Sequence, residues 1–105
     1  MSQQQSPEQA LQEAWSRAFI DTAGSRRLAR QALDHCDPSS ETAAWSRWLL
    51  ALADVNTFNA PSARAFLYSA RDWFVKHESA RGQALCAELD AAMALQSGDA
   101  IRASL

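Results

Sequence analysis

Glycine and proline are scarce in this 105-residue chain, which contains three of each. Valine and isoleucine are also few, whereas alanine and leucine are abundant. Since alanine and leucine favour helices and β-branched residues favour strands, this balance argues against a strand-rich fold and predicts a helical one. The length fits a single domain that buries about 60 to 70% of the surface exposed by its unfolded chain.

The chain also lacks an excess of one charge and any long apolar run. Ten basic and twelve acidic residues give a formal net charge of -2, too little positive charge to neutralise several phosphates. No apolar run approaches the roughly 20 residues that span a bilayer, and the polar start MSQQQSPEQA is unlike a signal peptide. We therefore expect a cytoplasmic protein with no nucleic-acid partner and no membrane insertion.

Only two cysteines occur, Cys36 and Cys86, and both lie in apolar helical patterns. This predicts buried, reduced thiols and not a disulfide. His35 adjoins Cys36, with Asp34 and Asp37 beside them, but adjacent helical positions point roughly 100° apart and no metal-binding spacing is present. We therefore expect no metal site.

Catalytic motifs are missing as well. The chain has no nucleophile next to a base, no pair of carboxylates at a plausible site and no phosphate-binding loop. We therefore expect neither an enzyme nor a cofactor, and any catalytic domain would lie outside this chain.

What the chain does contain is an internal repeat. Ala14-Trp15-Ser16-Arg17 returns thirty residues later as Ala44-Trp45-Ser46-Arg47. A second echo, displaced by 34 residues, relates Ala29, Leu33 and Cys36 to Ala63, Leu67 and Ala70. Repeats of this length are typical of stacked helical hairpins. We therefore predict an all-α fold of antiparallel hairpins with five to six helices.

Caps and apolar spacing place these helices along the chain. Helix one should end near Thr22 or Ala23, because Gly24 suits a helix end and Ser25 can cap the next helix. The predicted helices cover about 7–22, 26–36, 41–57, 60–76, 80–96 and 100–105.

The two ends of the chain carry separate predictions. Residues 1–5 form a polar leader that we expect to be disordered, and residues 6–105 should form one helical-repeat domain. The sixth helix is unfinished at Leu105, which favours a fragment of a longer protein, although a short terminal helix is the alternative. An unfinished hairpin leaves an apolar face uncovered, and this would favour self-association.

The apolar stripes predict the core. Phe19 falls on the inner face of helix one together with Trp15, and Trp45 and Trp48 fall on the inner face of helix three. Trp73 lies at the edge of its stripe and should be partly exposed.

The trailing helices place an alanine, a large apolar residue and a small residue at the same spacing, as Ala29-Leu33-Cys36 and Ala63-Leu67-Ala70. This pattern resembles the second-helix signature of tetratricopeptide repeats, and Trp15 and Trp45 can stand for the leading aromatic of that family. The resemblance implies stacked hairpins whose first helices line a concave groove that receives a protein partner.

A second resemblance covers the region from Ala80 to Asp99, which begins ARGQALC. It is similar to the helical input regions that precede diguanylate cyclase domains in some bacterial signalling proteins. No Gly-Gly-Asp-Glu-Phe signature of the cyclase occurs in the chain. The resemblance therefore implies a regulatory domain that binds or senses something and passes the result to an output domain elsewhere.

Repeat-equivalent residues form the candidate binding site. Arg17 and Arg47 follow their tryptophans at the same distance, and Ile20 and Leu50 are equivalent in the same way. In the groove that the resemblance implies, these residues would bind an extended or helical segment with acidic and apolar side chains. The alternative is structural, with the aliphatic pair packed on the next hairpin and the arginines lying over aromatic rings.

Helix two carries a small basic patch of Arg26, Arg27 and Arg30. We expect a solvated face balanced by acids such as Asp34, with an acidic partner as the alternative.

The sequence supports three functional hypotheses. The first is a protein-interaction or signal-input domain of a bacterial signalling protein, acting through groove contacts or self-association. The second is a stand-alone adaptor or secretion-chaperone-like protein. The third is a small-molecule sensor whose ligand enters between helices three and five, near Trp48 and Trp73.

Overall fold

The computed structural model describes residues 5–96, and every regular element in this range is an α-helix. The five helices are α1 Pro7–Arg17, α2 Thr22–His35, α3 Glu41–Asn56, α4 Ala60–Lys76 and α5 Ala80–Gln96. This confirms the all-α prediction. None of the five is long and apolar enough to cross a membrane. Leader residues 1–4 and the expected sixth helix over 100–105 lie outside the described residues.

Side-chain caps explain where most of these helices begin. Ser6 forms a capping box with Gln9, in which each side chain bonds the backbone N–H of the other residue. Ser40 accepts a backbone N–H from the first turn of α3 at 3.1 Å, and Ser79 accepts one from α5 at 3.2 Å. Each cap contributes about 1 kcal/mol. The predicted starts of helices one, three and five therefore agree with the structure.

The predicted boundary between the first two helices is wrong. α1 ends at Arg17, because Asp21 and not Ser25 caps the next helix. The Asp21 carboxylate accepts the Gly24 N–H at 2.9 Å. Gly24 therefore lies in the first turn of α2 and does not end α1. The earlier turn also carries Phe19 away from the inner face on which its spacing placed it.

Small side chains let α2 lie close to α1. Ser25 is buried, and its hydroxyl donates to the Ala14 carbonyl at 2.8 Å. Gly24 leaves room for the cap, since a Cβ at that position would lie 2.1 Å from a carboxylate oxygen of Asp21. Gly24 thus permits the cap of α2 and Ser25 permits the contact with α1, and neither residue interrupts a helix.

α3 is the centre of the molecule. It contacts each of the other four helices, whereas α2 and α4 do not touch each other within the described residues. The leading helices α1, α3 and α5 pack side by side, and each trailing helix packs between two of them. This is the order of stacked hairpins. Because its neighbours enclose it, α3 has ten of its 16 residues buried.

A chain of aromatic rings runs through the core. Trp15 stacks on Trp48 at 5.3 Å between ring centroids and meets Trp45 edge-on at 5.7 Å. Trp45 continues to Phe74 at 4.5 Å, and Phe74 to Trp73 at 5.7 Å. Trp48 is buried, Trp15 and Trp45 pack partly buried against the same core, and Trp73 is partly exposed. The placement of all four tryptophans agrees with the sequence prediction.

Close contact between α4 and α5 depends on a glycine. A Cβ at Gly82 would lie 2.3 Å from the Phe74 ring. Cys86, one turn further along α5, is buried, and this burial raises the pKa of its thiol to about 11. Cys36 is partly buried, and both cysteines are free, as predicted. Burial is complete only at Cys86.

Candidate interaction surface

The four residues of the expected groove do not line one surface. Leu50 is 1% exposed, because the other four helices enclose α3. It cannot face a partner in this fold, and that part of the groove prediction is wrong. Ile20 is 84% exposed, but it lies in the turn between α1 and α2 and not on the face of a helix.

Both arginines of the expected groove are engaged within the chain. Arg17 forms ion pairs with Glu13 at 3.2 Å and with Asp21 at 3.1 Å. Arg47 donates to the Pro38 carbonyl at 3.1 Å and so supports the turn between α2 and α3. The repeat-equivalent positions therefore have different local roles. Both guanidinium groups already have partners within the chain, so neither is free to bind an acidic segment.

The basic patch of helix two contains one residue with an unexpected partner. Arg26 forms an ion pair with Asp54 at 3.0 Å, and the Asp54 side chain is almost completely buried. Arg30 pairs with Asp34 at 3.3 Å on an exposed face, which agrees with the expected balance of charges. Asp54 was open to detection in the sequence, because it is the one acid beyond the first turn of the most apolar helix.

Four large apolar side chains are exposed at one end of the molecule. The antiparallel order brings the α1–α2 turn, the α3–α4 turn and the last residues of α5 to this end. Two contacts show that these segments lie together. The ion pair between Arg26 and Asp54 joins the start of α2 to the end of α3, and the Gln96 side chain donates to the Val55 carbonyl at 2.9 Å. We call the surface at this end the tip surface. It is defined by four exposed residues, Phe19, Ile20, Phe58 and Leu95, which are 78%, 84%, 78% and 64% exposed.

Phe58 is the least expected residue of the tip surface. Its φ is 59°, in the left-handed region where glycine or asparagine usually ends a helix. Two hydrogen bonds hold the turn, from the Phe58 N–H to Val55 at 3.1 Å and from the Asn59 N–H to Asp54 at 2.8 Å. A left-handed conformation costs a residue with a Cβ about 1 kcal/mol or more. Because the ring is mostly exposed, it contributes little hydrophobic stabilisation to offset this cost. The fold therefore does not explain a phenylalanine here.

Asp54 holds this turn in place. Its carbonyl accepts the Asn59 N–H, while its carboxylate accepts a hydrogen bond from the Ser62 hydroxyl and forms an ion pair with Arg26. The buried carboxylate thus ties α2, the end of α3 and the first turn of α4 together. The ring of Phe58 therefore projects from a turn whose backbone is held by hydrogen bonds, so a partner that covers the ring does not have to order this backbone.

Charges beside the tip surface are paired within the chain. A hydrogen bond from Gln5 and the pairing with Arg17 lower the pKa of Glu13. The Gly24 N–H and Arg17 lower the pKa of Asp21. Arg26 is likewise matched by Asp54. The tip surface therefore presents apolar side chains among compensated charges.

A recess opens beside Phe58. Its volume is about 150 Å³, and Phe58, Ala60, Met93 and Gln96 line it. Met93 is buried at its base, while Phe58 and Gln96 are exposed at its rim. The tip surface therefore combines protruding side chains with a hollow in which a side chain can be received.

The two tryptophans of the small-molecule hypothesis do not meet. Trp48 stacks on Trp15, whereas the Trp73 indole donates to the Ser39 carbonyl at 2.7 Å in the turn between α2 and α3. The Trp48 indole N–H is buried without a hydrogen-bond partner among the described residues. A ligand between helices three and five stays a prediction.

Comparisons with known proteins do not assign this chain to a family. Comparison with protein-family models, curated protein sequences and solved structures finds no match. Within residues 5–96, no three His, Cys, Asp or Glu side chains are grouped so that they could hold a metal ion. The resemblances to tetratricopeptide repeats and to cyclase input regions stay predictions from the sequence.

Proposed function

We propose that this chain is a protein-interaction module and that its tip surface is the docking site. The observation that carries this proposal is Phe58, an aromatic residue that is 78% exposed and has a left-handed backbone. Glycine or asparagine usually occupies this position at a helix end, so an exposed aromatic ring here supports a role outside the fold. Asp54 holds the turn from which the ring projects.

The composition of the tip surface supports the same function. Exposed apolar patches on a soluble fold mark sites of interaction, and aromatic residues are enriched among those that dominate binding energy. Two of the four tip residues are phenylalanines, and the surrounding charges are already paired. A partner therefore gains from covering apolar area and needs no strong charge of either sign.

The wider role is also a proposal. An interaction module can serve as the regulatory input of a bacterial signalling protein, as the resemblance to cyclase-associated regions implies. The same surface would serve a stand-alone adaptor or a secretion-chaperone-like protein. These roles differ in the event that docking triggers, and all of them need the tip surface.

Site-specific crosslinking in the native cell tests the docking site. The photoreactive residue p-benzoylphenylalanine is placed at position 20 in the tip surface, and at position 68 on the outer face of α4 as a control. We expect a discrete adduct from position 20 that disappears when Phe58→Ser is added to the same chain. Equal adducts from both positions, or none from position 20, would contradict the proposal.

A purified partner allows a quantitative version of this test. Phe58→Ser should weaken its binding by at least about tenfold, because an exposed aromatic anchor is lost. Tyr68→Ser, which removes another exposed aromatic side chain, should leave the affinity unchanged, as measured by calorimetry. The reverse order of effects would place the interface on α4.

A further inference from the structure

We propose that the partner is a second copy of this chain, docked tip to tip about a twofold axis so that Phe19 of each copy enters the recess of the other. This inference rests on the proposed function, because it uses the same surface. It adds the identity of the partner, a second copy of the chain, and the contact through which the two copies bind.

Shape is the first argument. A twofold interface needs one surface that carries both parts of the contact, since each copy must give and receive. Phe19 is 78% exposed on the α1–α2 turn, and the recess lined by Phe58, Ala60, Met93 and Gln96 lies at the same end. An apolar cavity of about 150 Å³ accommodates a benzene molecule. The recess, an open hollow of about 150 Å³, therefore has room for one phenyl ring.

Charge is the second argument. A twofold contact brings the same surface of the two copies together, so a net charge on that surface would repel the partner. At this end the two acids Glu13 and Asp21 are balanced by Arg17, which pairs with both, and by the nearby Arg27, whose charge acts on both. Arg26 is matched by Asp54. An acidic or a basic partner would find no complementary charge here, whereas a second copy meets no repulsion.

Area sets the expected strength. The four tip residues offer on the order of 500 Å² of apolar surface per copy, or about 1,000 Å² in a dimer, against about 1,600 Å² in a stable complex of standard size. We therefore expect a reversible dimer with Kd between about 10 µM and 1 mM.

Sedimentation of the full chain from about 5 µM to about 1 mM tests the dimer. We expect a reversible monomer–dimer equilibrium that Phe19→Ser weakens by at least about tenfold. The matched control is Val75→Ser, which removes a side chain that is 55% exposed at the opposite end of α4 and should leave Kd unchanged. A wild-type monomer at the highest concentration would overturn the inference. So would a loss of affinity in Val75→Ser equal to that in Phe19→Ser.

A charge-pair design tests the contact itself. Phe19→Lys should abolish the dimer, and adding Ala60→Glu should restore Kd to within about tenfold, because each lysine then meets a glutamate in the partner's recess. Glutamate suits position 60, since it lies at the N-terminus of α4. Helical circular dichroism should confirm that both variants fold. Failure of the folded double variant to dimerise would overturn the arrangement in which Phe19 enters the recess.

The two proposals fail in distinguishable ways. A monomeric wild-type chain that still gives a specific adduct from position 20 keeps the docking site and removes the second copy as its occupant. An adduct at twice the mass of the chain supports both. Absence of dimer and of adduct removes both.

Discussion

Residue 58 combines a backbone conformation that disfavours a side chain with a side chain that points into solvent. Glu78 has the same geometry in the turn between α4 and α5, with φ 54° and the same pattern of hydrogen bonds. The two turns are therefore a matched pair, and only one of them presents an aromatic ring. Phe58 was not predicted as a site residue, because its position outside the apolar stripes does not reveal its backbone angle.

Phe58→Gly should stabilise the fold. Glycine adopts the left-handed region without steric cost, so we expect a gain of about 0.5–1 kcal/mol in the free energy of unfolding, measured by urea titration. Glu78→Gly is the control and should give a similar gain, since the same backbone strain is relieved. A loss of stability confined to Phe58→Gly would mean that the ring supports the fold, and would remove the main argument for a docking site.

Single helices show how far local patterns reach. The bounds of α3, α4 and α5 were predictable to within about two residues, because serine caps and Asn59-Ala60-Pro61 mark their starts. The end of α1 was not, because Asp21 and Ser25 are both acceptable caps in the sequence. What selects Asp21 is the contact of Ser25 with Ala14 on the neighbouring helix, and that contact exists only in the folded molecule.

Gly82→Ala should destabilise the packing of α5 on α4. In an exposed helix this substitution stabilises by about 1 kcal/mol, but here the new Cβ meets the Phe74 ring. We therefore expect a net loss of about 1–3 kcal/mol in thermal or urea unfolding. Gly24→Ala provides a comparison, because the atoms nearest its new Cβ belong to the side chain of Asp21, and the loss should be close to the value of that cap, about 1 kcal/mol. A stabilised Gly82→Ala variant would show that the two helices can separate without cost.

At the scale of the whole molecule, the order of contacts decides which side chains reach the surface. The repeat predicted stacked hairpins, but the apolar stripe of a helix does not reveal how many other helices pack against that helix. Leu50 is buried because four helices enclose α3, and Phe19 is exposed because α1 ends before it. The tip surface was beyond prediction for the same reason, since it joins two turns and a helix end that are distant in sequence.

Arg26→Ala should weaken the joint between α2, α3 and α4. It leaves the buried Asp54 carboxylate with Ser62 as its remaining side-chain partner, so we expect a loss of about 2 kcal/mol in the free energy of unfolding. Arg30→Ala removes an exposed pair with Asp34 and should cost less than about 1 kcal/mol. Equal effects in the two variants would show that the buried pair has no special role in holding the tip.

The aromatic chain has a spectroscopic consequence. The indoles of Trp15 and Trp48 stack at 5.3 Å between ring centroids, and Trp45 lies 5.7 Å from Trp15. At such separations neighbouring chromophores exchange excitation, so the near-ultraviolet spectrum belongs to the group and not to single residues. Because the three indoles come from α1 and α3, any shift of the first hairpin against the second alters the coupled signal. The protein thus carries an intrinsic optical reporter of its own hairpin stacking.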